Sequence, residues 1–159
     1  MFRLGDTKLW VGGREASSLR DDPDWAVVNA TKSVHSEILG WVGKPSGDDP
    51  YYLMYESGQL LSFNWVDGGA HTFEWSGVPA FVRALDFIDK WYESKDILIN
   101  CDQGQSRSPT VALLYLAKRM HLIPDESFAE ARKAFQIIYP FYAPNGIADY
   151  VSNNWSQIN

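Results

Sequence analysis

Apolar residues along this chain come in short runs through the first two thirds and at helical spacing in the last third. The stretches "KLWVGG" and "DWAVVNA" are brief apolar runs, each stopped by turn residues, and predict two strands. In "YYLMYESGQLLSFNW" two apolar runs flank Glu56, Ser57, Gly58 and Gln59, the pattern of a hairpin. "VPAFVRALDFIDKWYE" puts Val78, Phe81, Val82, Leu85 and Ile88 on one helical stripe, with Asp86 and Asp89 on a solvated face. "DILIN" then predicts a short buried strand ending at Cys101. After the cysteine, "PTVALLYLAKRM" repeats apolar residues at helical spacing, and Pro109 suits a first helical turn. Two more helices are expected. One opens between Asp125 and Ser127 and runs to about Tyr139; the other opens after Pro144 or Asn145.

This order predicts an α/β domain with a central, mostly parallel sheet flanked by helices and a helical C-terminal third. The 159 residues suffice for one domain with a sizeable core, and no repeat or linker divides them; "GKPSGDDP" (43–50) is too short a loop to do so. A single domain over 1–159, monomeric, is the expectation.

Charge narrows the function. A formal net charge of -6 argues against a dedicated binder of nucleic acid or of an anionic membrane, because Lys and Arg supply most of that attraction. The start, "MFRLGDTKLWVGG", lacks the apolar stretch of a secretion signal, and a lone cysteine forms no internal disulfide, so a reducing, cytoplasmic setting is expected. His35, His71 and His121 are isolated and show no metal-site spacing, so each reads as surface or packing.

That lone cysteine is where the chemistry gathers. A lone cysteine is most often a small core residue, but here it stands between a buried strand and a helix, where open α/β sheets place their ligand sites. The loop "DQGQS" has Gly104 at its middle, able to take a positive backbone angle, and feeds a helix whose first amides lack partners. Amides so gathered, backed by a helix dipole, bind a doubly charged oxyanion such as phosphate, and the same field favours a thiolate at Cys101. The Asp102, Gln103, Gly104, Gln105 and Ser106 positions would then cradle the anion, and the Arg107 fork could hold two of its oxygens. Ser108 can donate to the charged sulfur and later help it depart; as a bare helix cap it would do neither.

Cysteine, five residues, arginine and serine, as in "CDQGQSRS", resembles the signature of the protein tyrosine phosphatase superfamily. The rest of the chain is similar to its small dual-specificity branch. "LWVGGREAS" and "AVVNAT" look like the first two strands of those proteins, "SFAEARKAFQII" like the helix after the signature and "APNGIADYV" like the final helix. The resemblance implies a cysteine phosphatase fold and metal-independent, cofactor-free hydrolysis of phosphomonoesters through a cysteinyl phosphate. Cys101 would be the nucleophile, with Arg107 and the loop amides on the equatorial oxygens. It also implies a shallow cleft that takes a phosphorylated protein or peptide, phosphotyrosine first, with phosphoserine and phosphothreonine as further candidates.

The chain departs from the family in two places. Asn100 stands where most relatives have a loop-bracing histidine; an amide both donates and accepts, so Asn100 is the expected brace, or simply completes a strand. Asp102 puts a carboxylate in the loop, expected to face outward at the rim, which makes phosphoinositides poorer substrates than phosphoproteins. The leaving oxygen needs a proton, which the family takes from an aspartate on an upstream loop. Asp67 in "NWVDGG" is the candidate, although Asp-Gly is also an ordinary turn, and Glu74 is the reserve. Most aromatics should be core; Trp65, Trp75 and Tyr142 are candidates to line a cleft. Other readings are a non-catalytic phosphate-binding protein of this fold, or a phosphatase of a lipid or an RNA 5′ end.

Overall fold

The computed structural model describes residues 1–159. Six strands, β1 (Phe2–Arg3), β2 (Leu9–Gly12), β3 (Trp25–Asn29), β4 (Met54–Ser57), β5 (Leu60–Phe63) and β6 (Asp96–Asn100), form one sheet in the order β1-β2-β6-β3-β5-β4. The four inner strands run parallel, and the edge strands β1 and β4 are antiparallel to their neighbours. The architecture is therefore the mixed α/β layout that the pattern predicts. In β6, Ile97 and Ile99 enter the main core, while Leu98 and its neighbour Val27 are equally buried but lie outside that cluster, on the other face. Burial on both faces is why "DILIN" reads as a continuous apolar run.

Five α-helices complete the fold: α1 (Lys32–Leu39), α2 (Gly77–Trp91), α3 (Arg107–Lys118), α4 (Phe128–Ile138) and α5 (Gly146–Asn153). α3 is buried at every position from Arg107 to Ala117, so it is a core element and not an amphipathic cover. α4 begins as predicted at Ser127, whose hydroxyl accepts from the Glu130 amide at 3.2 Å. α2 keeps its predicted range but buries Ala80, Phe81, Ala84, Leu85, Phe87 and Ile88, leaving Val78 and Val82 only half-buried. The helix is thus rotated from the expected stripe, because packing against α3 and the sheet selects a face with two alanines that permit close approach.

The acids of α2 are not merely solvated. Asp89 accepts from the Tyr115 hydroxyl at 2.7 Å and pairs with Arg119, which also reaches Asp86 at 3.0 Å. They tie α2 to the end of α3. β1, α1 and the 3-10 segment Arg14–Asp21 are elements the pattern does not announce.

Candidate active site

β6 ends at Asn100 and delivers Cys101 to the carboxyl end of the sheet, from which residues 102–106 turn into α3. Gly104 adopts φ +72°, and a Cβ there would meet the Gly12 carbonyl at 3.1 Å, so the loop takes this path only with glycine at that position. Four of the five loop carbonyls are tied back into the protein. Asp102 O accepts from the Arg14 amide (3.0 Å), Gly104 O from the Tyr139 hydroxyl (2.6 Å), Gln105 O from the Ala143 amide (2.8 Å) and Ser106 O from Thr110 Oγ1 (2.7 Å). The backbone amides from Gln103 to Arg107 have no acceptor within the chain. Turning carbonyls away and leaving amides free is what an anion cradle requires.

Cys101, Asp102, Gln103, Gln105, Ser106 and Arg107 line a cavity of about 170 Å³, with Asp67 and Asn145 on the facing wall. Cys101 is 2% exposed, and its sulfur lies 3.2 Å from Ser108 Oγ. Arg107 is 4% exposed. Its Nη1 donates to the Trp65 carbonyl (2.7 Å) and Thr31 Oγ1 (3.2 Å), and its Nη2 to Asp102 Oδ2 (3.1 Å), but its buried Nε has no partner. A buried N–H without an acceptor is costly, and an anion in the adjoining cavity would satisfy it.

Asp102 does not simply face outward at the rim. Besides pairing with Arg107 it accepts from Thr31 Oγ1 (2.9 Å) and Ser33 Oγ (2.8 Å). Partial burial works against its charge, yet the Ser33 and Thr31 hydroxyls and the Arg107 guanidinium outweigh it and hold its pKa below the ordinary carboxylate value. Asp102 thus fixes one edge of the guanidinium.

Asn100 does not reach the loop through its side chain. Its Nδ2 donates to Asn29 Oδ1 (3.0 Å) on the neighbouring strand, and Asn29 continues to Ser62, which meets Nδ1 of the buried His35 at 2.7 Å. This polar chain crosses three parallel strands under the site. Burial holds the His35 pKa below its ordinary value, against the raising pull of the Tyr51 carbonyl and Asp49, so His35 is a neutral packing group. The loop brace comes instead from Tyr139, whose hydroxyl holds Gly104; burial, and then the nearby Cys101, push that phenol up to about 12.

Asp67 follows β5 on a loop anchored by Trp65. That ring is buried, stacked on Phe63 at 4.5 Å and tilted against Phe81 at 4.8 Å, so it serves the core, while Trp65 also lines the compartment beside the cysteine cavity. Tyr142 is likewise buried, bonded to Thr110 at 2.7 Å. Asp67 Oδ2 accepts from Asn145 Nδ2 at 2.9 Å, and the Asn145 amide donates to Ser106 Oγ at 3.0 Å, joining the Asp67 loop to the cysteine loop. Behind Asn145, a Cβ on Gly146 would fall 2.3 Å from the Gly68 carbonyl oxygen and 2.5 Å from Gly69 C. α5 therefore rests directly on the loop that carries Asp67. Glu74 is exposed and lines neither the cavity nor the compartment beside it.

A four-strand parallel core with a cysteine loop feeding a buried central helix is the cysteine phosphatase fold. No protein-family model matches the chain. Dual specificity protein phosphatase 5 of Rattus norvegicus is 32% identical over 82 residues, which are 50% of this chain and 21% of that protein. This chain therefore matches only about a fifth of the length of that relative. Among solved structures, the Yvh1 phosphatase domain of Chaetomium thermophilum superposes with a TM-score of 0.60 at 19% identity, covering 96% of this chain and 93% of that one. Human DUSP28 does so with a TM-score of 0.58 at 18% identity, covering 98% and 91%. The chain thus has the fold of the small dual-specificity phosphatases, and half of its length is similar in sequence to a dual-specificity phosphatase.

Proposed function

We propose that the chain is a metal-independent cysteine phosphatase that hydrolyses phosphomonoesters on proteins, phosphotyrosine first. The observation that carries this reading is the convergence of a thiol, a buried arginine with an unpartnered Nε and a run of free amides on one small cavity. Each donor is placed before any charge arrives, which is the condition for electrostatic stabilisation of a transition state.

In the first step the Cys101 thiolate attacks phosphorus, the bond to the ester oxygen breaks, and Asp67 gives that oxygen a proton. The product alcohol departs, leaving a cysteinyl phosphate. In the second step water attacks phosphorus, the Asp67 carboxylate takes its proton, and the sulfur leaves with the Ser108 hydroxyl donating to it. Arg107 Nε, the second proton of Nη2 and the loop amides hold the equatorial oxygens throughout, while Asp102 keeps the guanidinium oriented. Asn145 positions Asp67.

The experiment that tests this scheme compares esters of different leaving groups. In Asp67→Asn, kcat for phosphotyrosine is expected to fall about 100-fold or more, and for p-nitrophenyl phosphate far less, because nitrophenolate needs little help to leave. Equal slowing of both esters would reject Asp67 as the acid. Gly146→Ala should produce the same leaving-group asymmetry without touching an acid or a nucleophile. Its methyl displaces the Gly68–Gly69 backbone, and a shift near 1 Å can cost on the order of 100-fold. A variant that melts like the parent and keeps the parent's ratio of rates on the two esters would show that the Asp67 loop does not depend on α5.

A further inference from the structure

Next to the phosphate cavity the surface continues into a second and then a third compartment. The second, of about 400 Å³, shares Asp67, Asp102 and Arg107 with the phosphate cavity. The third, a groove of about 560 Å³, shares Lys32, Ser36 and Val66 with the second, and adds Lys44, Tyr52 and Trp75. One continuous trough thus runs from Cys101 past two carboxylates to two lysines.

The chemistry of its far end differs from that of the rest of the molecule. The chain carries a net charge of -6, yet no acid lines the groove. Lys32 and Lys44 are exposed and form no salt bridge or side-chain hydrogen bond within the chain. Asp48 and Asp49, on the same loop as Lys44, lie outside the lining, and Glu37 is already engaged by Arg14 and Arg20. Trp75 is 62% exposed, an apolar ring beside two unneutralised cations. Such a combination suits an extended peptide bearing a carboxylate and an apolar side chain.

We infer that this groove is a substrate subsite for an acidic residue of the phosphoprotein, set apart from the phosphorylated residue by the width of the intervening compartment; the inference rests on the phosphatase reading above. The order of charges gives it a specific form. Beside the phosphate Asp67 holds the proton it will donate and Arg107 is committed to Asp102 and the phosphate, so an acid adjacent to the phosphorylated residue finds no free cation. An acid further along meets Lys32 and Lys44. Selectivity should therefore depend on position and not merely on the total charge of the substrate.

The test is a set of phosphotyrosine peptides in which one glutamate is moved step by step through a neutral background, each compared with its glutamine counterpart by kcat/KM. Glutamate next to the phosphotyrosine is expected to give no gain, and glutamate within a window further off a gain of about 3- to 10-fold, the range for one or two exposed ion pairs. That gain should shrink with added salt. It should vanish in Lys44→Glu, while hydrolysis of p-nitrophenyl phosphate by that variant stays unchanged, since Lys44 lies outside the phosphate cavity. Trp75→Ala, expected to weaken all peptides alike, reports the apolar contact separately. Equal rates for every glutamate position, or a gain that survives Lys44→Glu and Lys32→Gln, would overturn the subsite while leaving the phosphatase standing. Failure to hydrolyse p-nitrophenyl phosphate as well as the peptides would instead overturn the phosphatase reading, and the subsite with it.

Discussion

Cys101→Ser is expected to abolish hydrolysis of aryl phosphates while leaving the fold and the anion cavity intact. Serine is nearly isosteric with cysteine, and Cys101 is buried with one close polar neighbour, Ser108 Oγ at 3.2 Å, with which a hydroxyl can bond as well as a thiol. Packing therefore gives no reason for the variant to unfold. Its chemistry is another matter: a hydroxyl is far harder to ionise than a thiol and is the weaker nucleophile toward phosphorus. A loss of at least about 10,000-fold in kcat is expected, in line with removal of other enzymatic nucleophiles. Binding of a phosphotyrosine peptide, measured by calorimetry, should persist, because the amides and Arg107 are unchanged. Turnover near that of the parent would remove Cys101 from the mechanism; loss of binding together with turnover would assign it to holding the loop.

Arg107→Lys is the second large effect, expected to cost about 1,000-fold in kcat/KM although the formal charge is conserved. The guanidinium acts here as a planar piece with two edges. One edge is fixed by Trp65 O, Thr31 Oγ1 and Asp102, and Nε is left without a partner in a side chain that lines the cavity. A lysine ammonium is a single point and cannot satisfy the Trp65 carbonyl, pair with Asp102 and reach the anion together. Loss of one oriented donor at a developing charge is worth about 100- to 1,000-fold, and here two are lost. Asp102, deprived of its partner, would add repulsion toward the incoming phosphate. A lysine variant within tenfold of the parent, with unchanged thermal stability, would show that net charge suffices and that the fork geometry does not matter.

Much of this arrangement was legible from short-range pattern. The strand before Cys101 is a five-residue apolar run, α4 starts at its serine cap, and the hairpin closes at Gly58 and Gln59 where the two apolar runs separate. These features depend on residues within a few positions of one another. α1 was not legible, because only Val34 and His35 of its eight residues are buried, too few to mark an apolar helical stripe. Its cap residue, Thr31, makes no capping bond; its hydroxyl is engaged with Asp102 and Arg107. The rotation of α2 was hidden for a related reason: periodicity marks an apolar stripe, while the facing helix decides which side of it is buried.

The chain alone determined that a thiol, a glycine, an arginine and a serine would stand on one strand-loop-helix turn, since their spacing leaves the backbone little freedom. Only the tertiary structure decided what surrounds them. Asp67 arrives from the loop after β5, Thr31 and Ser33 from the start of α1, Tyr139 from beyond α4 and Asn145 from the start of α5. Parallel strands are joined by crossovers, so the carboxyl ends of β3, β5 and β6 bring distant segments to one end of the sheet. No local pattern carries that information, because it resides in the order of the strands.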